Sequence, residues 1–263
     1  MNVYFPLFLS LLCFSLFSCQ QASPESFHDN NVIAHRGAWK KAGHPQNSIA
    51  SLREAIRLGC EGSEFDVWMT ADSILVVNHD ADFMGLPIET STLEQLYEKE
   101  LSNGEKIPTA AEYLKEGIKQ KKTKLIYEAK PSELGRERNF LIAQKSVELV
   151  KSLKASEWVD YISFDKDICR KIMELDPDAQ VAYLNGEKSP EQLAENGYFG
   201  FDYHISIVKK NSHWITEAHQ LGLTVNAWTV NDSDDMKWLL DHGTDFITTD
   251  EPEMLLEIVQ NRN

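Results

Sequence analysis

Beyond Asn31 the chain switches repeatedly between short apolar runs rich in β-branched and aromatic residues and longer stretches whose apolar residues recur at a period of 3.6. The short runs predict strands at Val32–Arg36, Ser63–Met69, Leu125–Ala129, Tyr161–Phe164, Gln180–Leu184, Phe199–Tyr203, Thr224–Thr229 and Asp245–Thr248. Between and after them the longer period predicts helices at Ser48–Leu58, Arg138–Leu153, Asp167–Leu175, Pro190–Glu195, Ser212–Gln220, Asp234–Asp241 and Glu253–Gln260. Gly59, Gly197, Gly222 and Gly243 stand where left-handed helix ends belong, and Ser189 and Ser233 where N-caps belong.

Strands that alternate with helices form parallel sheets through right-handed crossovers, and eight such units close into a TIM barrel. An open doubly wound sheet is the alternative. The second and third strands are far apart in sequence, too far for a single crossover helix. A small insertion on the barrel's C-terminal face fits that interval: an extra strand at Ile74–Asn78, turning at Ala71-Asp72-Ser73, then helices at Thr92–Glu98 and Thr109–Lys119.

The N-terminal segment follows a different pattern. Val3 to Phe17 is almost wholly apolar, the length of a signal-peptide core and shorter than the roughly 20 residues of a spanning helix. It ends in Leu16-Phe17-Ser18-Cys19, which resembles a bacterial lipobox, although no Lys or Arg precedes it. The division expected is a lipoprotein-type signal peptide over 1–18, a polar tether over 19–30 with Cys19 as the lipidated residue, and a barrel over 31–263. An uncleaved N-terminal anchor is the other reading, and both place the folded part outside the cytoplasm, attached to a membrane.

Composition narrows the partners. With 263 residues and 42% hydrophobic content the chain can build one large core. Its formal charge of −15 argues against a nucleic-acid partner, since phosphate backbones are held by clustered Lys and Arg. Neither Cys60 nor Cys169 has a second cysteine nearby, so both are expected in the packed core. No glycine-rich nucleotide loop is present.

In a barrel, chemistry collects where strands end. His35-Arg36-Gly37, Glu64-Phe65-Asp66, His79-Asp80 and Glu128-Ala129-Lys130 are the polar segments there. Residues two apart on a strand share a face, so Glu64 and Asp66 point together, as do Glu128 and Lys130. Three converging carboxylates suit a hard divalent cation, and ordinary ion pairs with Arg36 and Lys130 are the other arrangement open to them. His35 and His79 flank the same cluster and can titrate near neutral pH. His28, His44, His213, His219 and His242 lack such a setting and are expected to be structural.

These motifs resemble the glycerophosphodiester phosphodiesterase family, a group of metal-dependent TIM-barrel phosphodiesterases. The likeness runs through Pro45-Gln46-Asn47-Ser48, Val225-Asn226-Ala227-Trp228-Thr229-Val230-Asn231 and Ile247-Thr248-Thr249-Asp250-Glu251-Pro252 as well. It implies that Glu64, Asp66 and Glu128 bind Mg²⁺ or Ca²⁺, that His35 and His79 are the acid–base pair, and that Arg36 and Lys130 grip phosphate. It also implies that Trp228 lies against the glycerol or the departing alcohol; Tyr183, Tyr203 and His204 are further candidates for the mouth. Gln46 departs from the family's Pro-Glu-Asn pattern. The activity implied is hydrolysis of a small glycerophosphodiester to glycerol 3-phosphate and an alcohol. Two rivals are a phospholipase-like enzyme acting on intact lipids and a non-catalytic phosphate-binding lipoprotein.

Overall fold

The computed structural model describes Met1 and residues 27–262, so the readings of the signal peptide, of Cys19 and of most of the tether lie outside the described residues. The barrel strands are β1 (Val32–Ala34), β2 (Gly62–Met69), β6 (Lys124–Ala129), β7 (Val159–Ser163), β8 (Gln180–Tyr183), β9 (Gly200–His204), β10 (Thr224–Trp228) and β11 (Phe246–Thr249). Each pairs in parallel with the next around the ring, and β1 pairs with both β2 and β11, so the sheet closes. That closure gives the TIM barrel and excludes the open sheet.

The helices are α1 (Ile49–Leu58), α2 (Leu93–Leu96), α3 (Ala110–Gly117), α4 (Arg136–Ser152), α5 (Lys166–Leu175), α6 (Pro190–Glu195), α7 (Ile205–Lys210), α8 (His213–Gln220), α9 (Ser233–Asp241) and α10 (Pro252–Gln260). Apart from α2, their inner faces pack on the outward side chains of the strands to form the main core, which includes Phe65, Tyr127, Phe201, Leu52 and Ile142. Cys60 and Cys169 are buried in it, and burial pushes the Cys60 thiol up to about 12. Inside the barrel a smaller apolar cluster, Ile33, Ile126, Ile162 and Leu184, fills the opposite face of the same strands.

Cap chemistry explains most boundaries. Ser189 accepts from the Gln192 N–H and Gln192 returns to the cap backbone, a reciprocal capping box. The cap expected at Ser233 is instead Asp232, whose carboxylate accepts from the amides of Asp234 and Asp235; an acceptor one residue earlier reaches both free N–H groups. Helix α7 was not expected from the pattern, because only Val208 of its six residues is buried and the run shows little periodicity.

The insertion has its own small core. β3 (Leu75–Val77) runs antiparallel to the end of β2, Val67 facing Val77 and Met69 facing Leu75, as the extra-strand reading requires. A short hairpin of β4 (Asp82–Phe83) and β5 (Leu86–Pro87) follows. Trp68, Val76, Phe83, Ile88, Leu96 and Ile107 pack together beneath it. The Trp68 indole donates to the carbonyl of His79, which ties a residue beyond β3 to the rim of the barrel.

Candidate active site

The site forms at the C-terminal ends of β1, β2 and β6. Arg36 follows β1 with a left-handed backbone, φ 57, and Gly37 continues the turn at φ 79. A side chain on Gly37 would meet the Ser51 Oγ at 2.5 Å and its backbone carbon at 2.6 Å, so this turn admits only glycine. The turn aims the Arg36 N–H at Glu64 Oε2, 2.9 Å away. Asn47, also left-handed at φ 58, grips Asp66 twice: its Nδ2 donates to Oδ2 at 2.8 Å and its Oδ1 accepts from the Asp66 N–H at 3.1 Å. Asn is among the residues that tolerate this backbone best, so one residue supplies both the bend and the clamp. The likeness around Pro45-Gln46-Asn47-Ser48 pointed to the segment but not to this role.

Strand parity turns Glu64 and Asp66 into the barrel beside Glu128, as expected from their spacing, and one oxygen from each lies within 4.8 Å of the others. All three are buried. Lys130 Nζ stands 2.6 Å from Asp66 Oδ1 and 2.7 Å from Glu128 Oε1, and Arg36 Nε 3.6 Å from Asp66 Oδ2. Lys130 thus partners one oxygen each of Asp66 and Glu128, while Glu64 Oε1 is buried with no partner. Three carboxylates converging on one point, one of them with an oxygen that ion pairing leaves with nothing, fit a hard divalent cation.

The electrostatics follow from that crowding. Burial, then repulsion from Asp66 and Glu128, raises the Glu64 carboxyl well above its usual range. Burial and Asp66 push Glu128 up to about 8 against the pull of Lys130. For Asp66 burial acts in the same direction, but Lys130, His79 and Arg36 together outweigh it and hold that carboxylate low. Lys130 is buried too, and the two carboxylates beside it raise its pKa and keep it charged.

Two imidazoles flank this cluster, and each has an aspartate on Nδ1. His35 Nδ1 lies 2.7 Å from Asp250 Oδ1, with its Nε2 4.0 Å from Glu64 Oε2. His79 Nδ1 lies 2.7 Å from Asp80 Oδ1. Asp250 is held in turn by Asn231, whose Nδ2 donates to Oδ2 at 2.7 Å. Burial, then the charges of Lys130 and Arg36, lowers the His79 pKa against the pull of Asp66. Asp250 as the partner of His35 escaped the sequence reading, because the two residues are 215 apart and meet only when β11 closes on β1.

The cavity among these groups has a volume of about 210 Å³, and its far wall is Ile162, Phe164, Leu184 and Trp228. Trp228 meets Phe164 edge to face at 5.5 Å and donates its indole N–H to the Asp202 carbonyl at 2.8 Å. His204 does not line the cavity; it caps α7 and touches the edge of Trp228. Tyr183 and Tyr203 are corrections: alternation along β8 and β9 sends Leu184 and Asp202 inward and both tyrosines into the outer core, where their hydroxyls meet Glu187 and the Lys188 carbonyl. The histidines expected to be structural behave so where their contacts show it, His242 stacking on Trp238 and His219 pairing with Asp245.

Residues 35–254 match the glycerophosphoryl diester phosphodiesterase family. The chain belongs to that family. A crystal structure of a glycerophosphodiester phosphodiesterase from Parabacteroides distasonis superposes with a TM-score of 0.86 at 46% identity, covering 90% of this chain and 99% of that one. A glycerophosphodiester phosphodiesterase from Caldanaerobacter subterraneus is 28% identical over 87% of this chain and 97% of its own. An Oleispira antarctica phosphodiesterase, solved in complex with the product sn-glycerol-3-phosphate, superposes with a TM-score of 0.76 at 25% identity, over 88% and 97% of the two chains.

Proposed function

We propose that the protein is a divalent-metal-dependent phosphodiesterase that cleaves glycerophosphodiesters to glycerol 3-phosphate and an alcohol. The observation that carries this reading is the single cavity lined by His35, Arg36, Glu64, His79, Glu128 and Lys130, with Asp66 behind them. A cation held by Glu64, Asp66 and Glu128, Mg²⁺ or Ca²⁺, would supply charge neutralisation at the phosphate oxygens. Arg36 and Lys130 add fixed positive charge on the same wall and orient the diester. With Nδ1 of each imidazole engaged by an aspartate, Nε2 of His35 and of His79 is the atom left to take a proton from the nucleophile or give one to the leaving alkoxide.

The N-terminal segment supports placing this enzyme outside the cytoplasm, tethered through a lipidated Cys19. Where the described chain begins, His28 donates to Lys122 and Asn31 to the carbonyls of Thr244 and Asp245, all ahead of barrel strands. His28 and Asn31 therefore sit at the N-terminal face, opposite the mouth of the cavity, and a tether leading into them would join the barrel there. That arrangement favours soluble diesters over lipids still in the bilayer that carries the anchor.

The test is incubation of the purified protein with glycerophosphocholine, with and without chelator, read by mass spectrometry. Glycerol 3-phosphate and choline should appear only with metal. Phosphocholine plus glycerol, or binding without turnover, would overturn the reading.

A further inference from the structure

Asp202 is a buried acid of the barrel interior that the proposed reaction does not use. Asp202, on the inward face of β9, is 2% exposed, and its Oδ1 has no hydrogen-bond partner. It lines the 210 Å³ cavity of the active site and also a second chamber of about 120 Å³ lower in the barrel, so it forms the floor between them. A buried carboxyl oxygen without a partner costs free energy, and such atoms persist where a ligand completes them.

The rest of its surroundings are mostly apolar. The wall away from the carboxylates is Ile162, Phe164, Leu184 and Trp228 with Thr229 and Thr248, and the indole N–H is already committed to the Asp202 carbonyl. Asn226, register partner of Asp202 on β10, donates to the Thr248 hydroxyl at 2.9 Å and leaves its own Oδ1 without a partner. Burial pushes the Asp202 carboxyl up to about 8, with Asn226 pulling the other way. At neutral pH it is an uncharged acid, able both to donate and to accept, and an alcohol hydroxyl has the same dual character.

We propose that Asp202 is a specificity-determining residue that hydrogen-bonds the distal hydroxyl of the substrate's glycerol at the closed end of the cavity. This rests on the glycerophosphodiester reading and adds the orientation of the substrate. Of the two groups on the phosphate, glycerol is small and constant, and a closed floor suits a constant group. The alcohol varies, and the open mouth suits it.

The experiment compares three ligands on the metal-loaded protein by calorimetry: sn-glycerol 3-phosphate, propane-1,2-diol 1-phosphate, which lacks only the distal hydroxyl, and inorganic phosphate. Wild type should prefer glycerol 3-phosphate over the diol analogue by about tenfold or more. Asp202→Leu should erase that preference while leaving the other two affinities in place, and Asp202→Asn, which still donates and accepts, should keep most of it. No preference in wild type, or a preference intact in Asp202→Leu, overturns the proposal. Equal loss for all three ligands assigns Asp202 to the scaffold and overturns it too. Should the leucine variant not fold, a crystal structure of wild type with metal and glycerol 3-phosphate decides: the distal hydroxyl within hydrogen-bond reach of Asp202 sustains the proposal, and a hydroxyl directed elsewhere ends it. A protein that shows the preference but cleaves no glycerophosphodiester would sink the proposed activity and leave this assignment standing.

Discussion

His35 and Asp250 follow the first and last barrel strands, and the pairing of Ala34 with Thr249 sets their side chains together, Nδ1 to Oδ1, at 2.7 Å. The His35 N–H also donates to the Thr249 carbonyl at 2.9 Å, so backbone and side chain fix the same ring. Burial works against the Asp250 charge, but the His35 and Asn231 hydrogen bonds outweigh it and keep the carboxylate ionised. An ionised acceptor on Nδ1 fixes the tautomer in which Nε2 is free for proton transfer. Asp250→Asn should therefore lower kcat by roughly 10- to 100-fold with KM little changed, and shift the pH profile of kcat. A profile identical to wild type would remove Asp250 from any role in orienting His35.

The metal assignment has a direct check. Three buried carboxylates facing a phosphate would repel it, and Lys130 and Arg36 do not fully offset them, so the proposed cation would complete the balance. Dialysis against EDTA should abolish turnover, and Mg²⁺ or Ca²⁺ should restore it. Glu64→Gln keeps the size but loses the charge, and should weaken metal binding measured by calorimetry by about tenfold or more. Full activity after exhaustive chelation would leave the cluster as an ion-pair network.

Gln46, the departure from the family pattern, has a defined partner: the Arg36 Nη1 donates to its Oε1 at 2.6 Å. A carboxylate there would strengthen that hydrogen bond and neutralise part of the guanidinium charge offered to the phosphate. Gln46→Glu should raise KM about threefold to tenfold and leave kcat and metal affinity near wild type. Metal affinity falling as far as in Glu64→Gln would place Gln46 in the metal cluster instead.

The sequence made the barrel legible because each strand and most helices carry their own period, and because parity alone puts Glu64 with Asp66 and Glu128 with Lys130. What escaped were relations that depend on closure. Asp250 reaches His35 only through β1–β11 pairing, and Asn47 clamps Asp66 only because α1 is preceded by a left-handed turn. Tyr183 and Tyr203 were misplaced by position near strand ends, where parity should have decided. Asp202 shows no local signal: its neighbours Phe201 and Tyr203 read as an ordinary buried strand.

The lipobox reading is tested in cells. If Cys19 carries the lipid, Cys19→Ala should move the protein out of the membrane fraction and end incorporation of a labelled lipid precursor. Label that persists in the variant would refute the assignment.

Asp202 also makes stability depend on pH, and the sign follows from its proton. In the folded chain its carboxyl titrates at about 8, against 3.8 for an unperturbed aspartate. Between those values the folded state keeps a proton that the unfolded state has released, so for this group stability falls as pH rises from about 4 and levels off above about 8. The slope is at most about 1.4 kcal/mol per pH unit. Asp202→Asn has nearly the same shape and no ionisation, so it removes this dependence alone. Glu64, Glu128 and the other buried acids titrate alike in both proteins and cancel in the difference. The variant should therefore become progressively more stable relative to wild type as pH is raised, measured as the difference in urea midpoints at pH 5, 7 and 9 in metal-free buffer. A difference that does not change across that range would mean that Asp202 is ionised in the folded protein, and it would then need a cation rather than a hydroxyl as its partner.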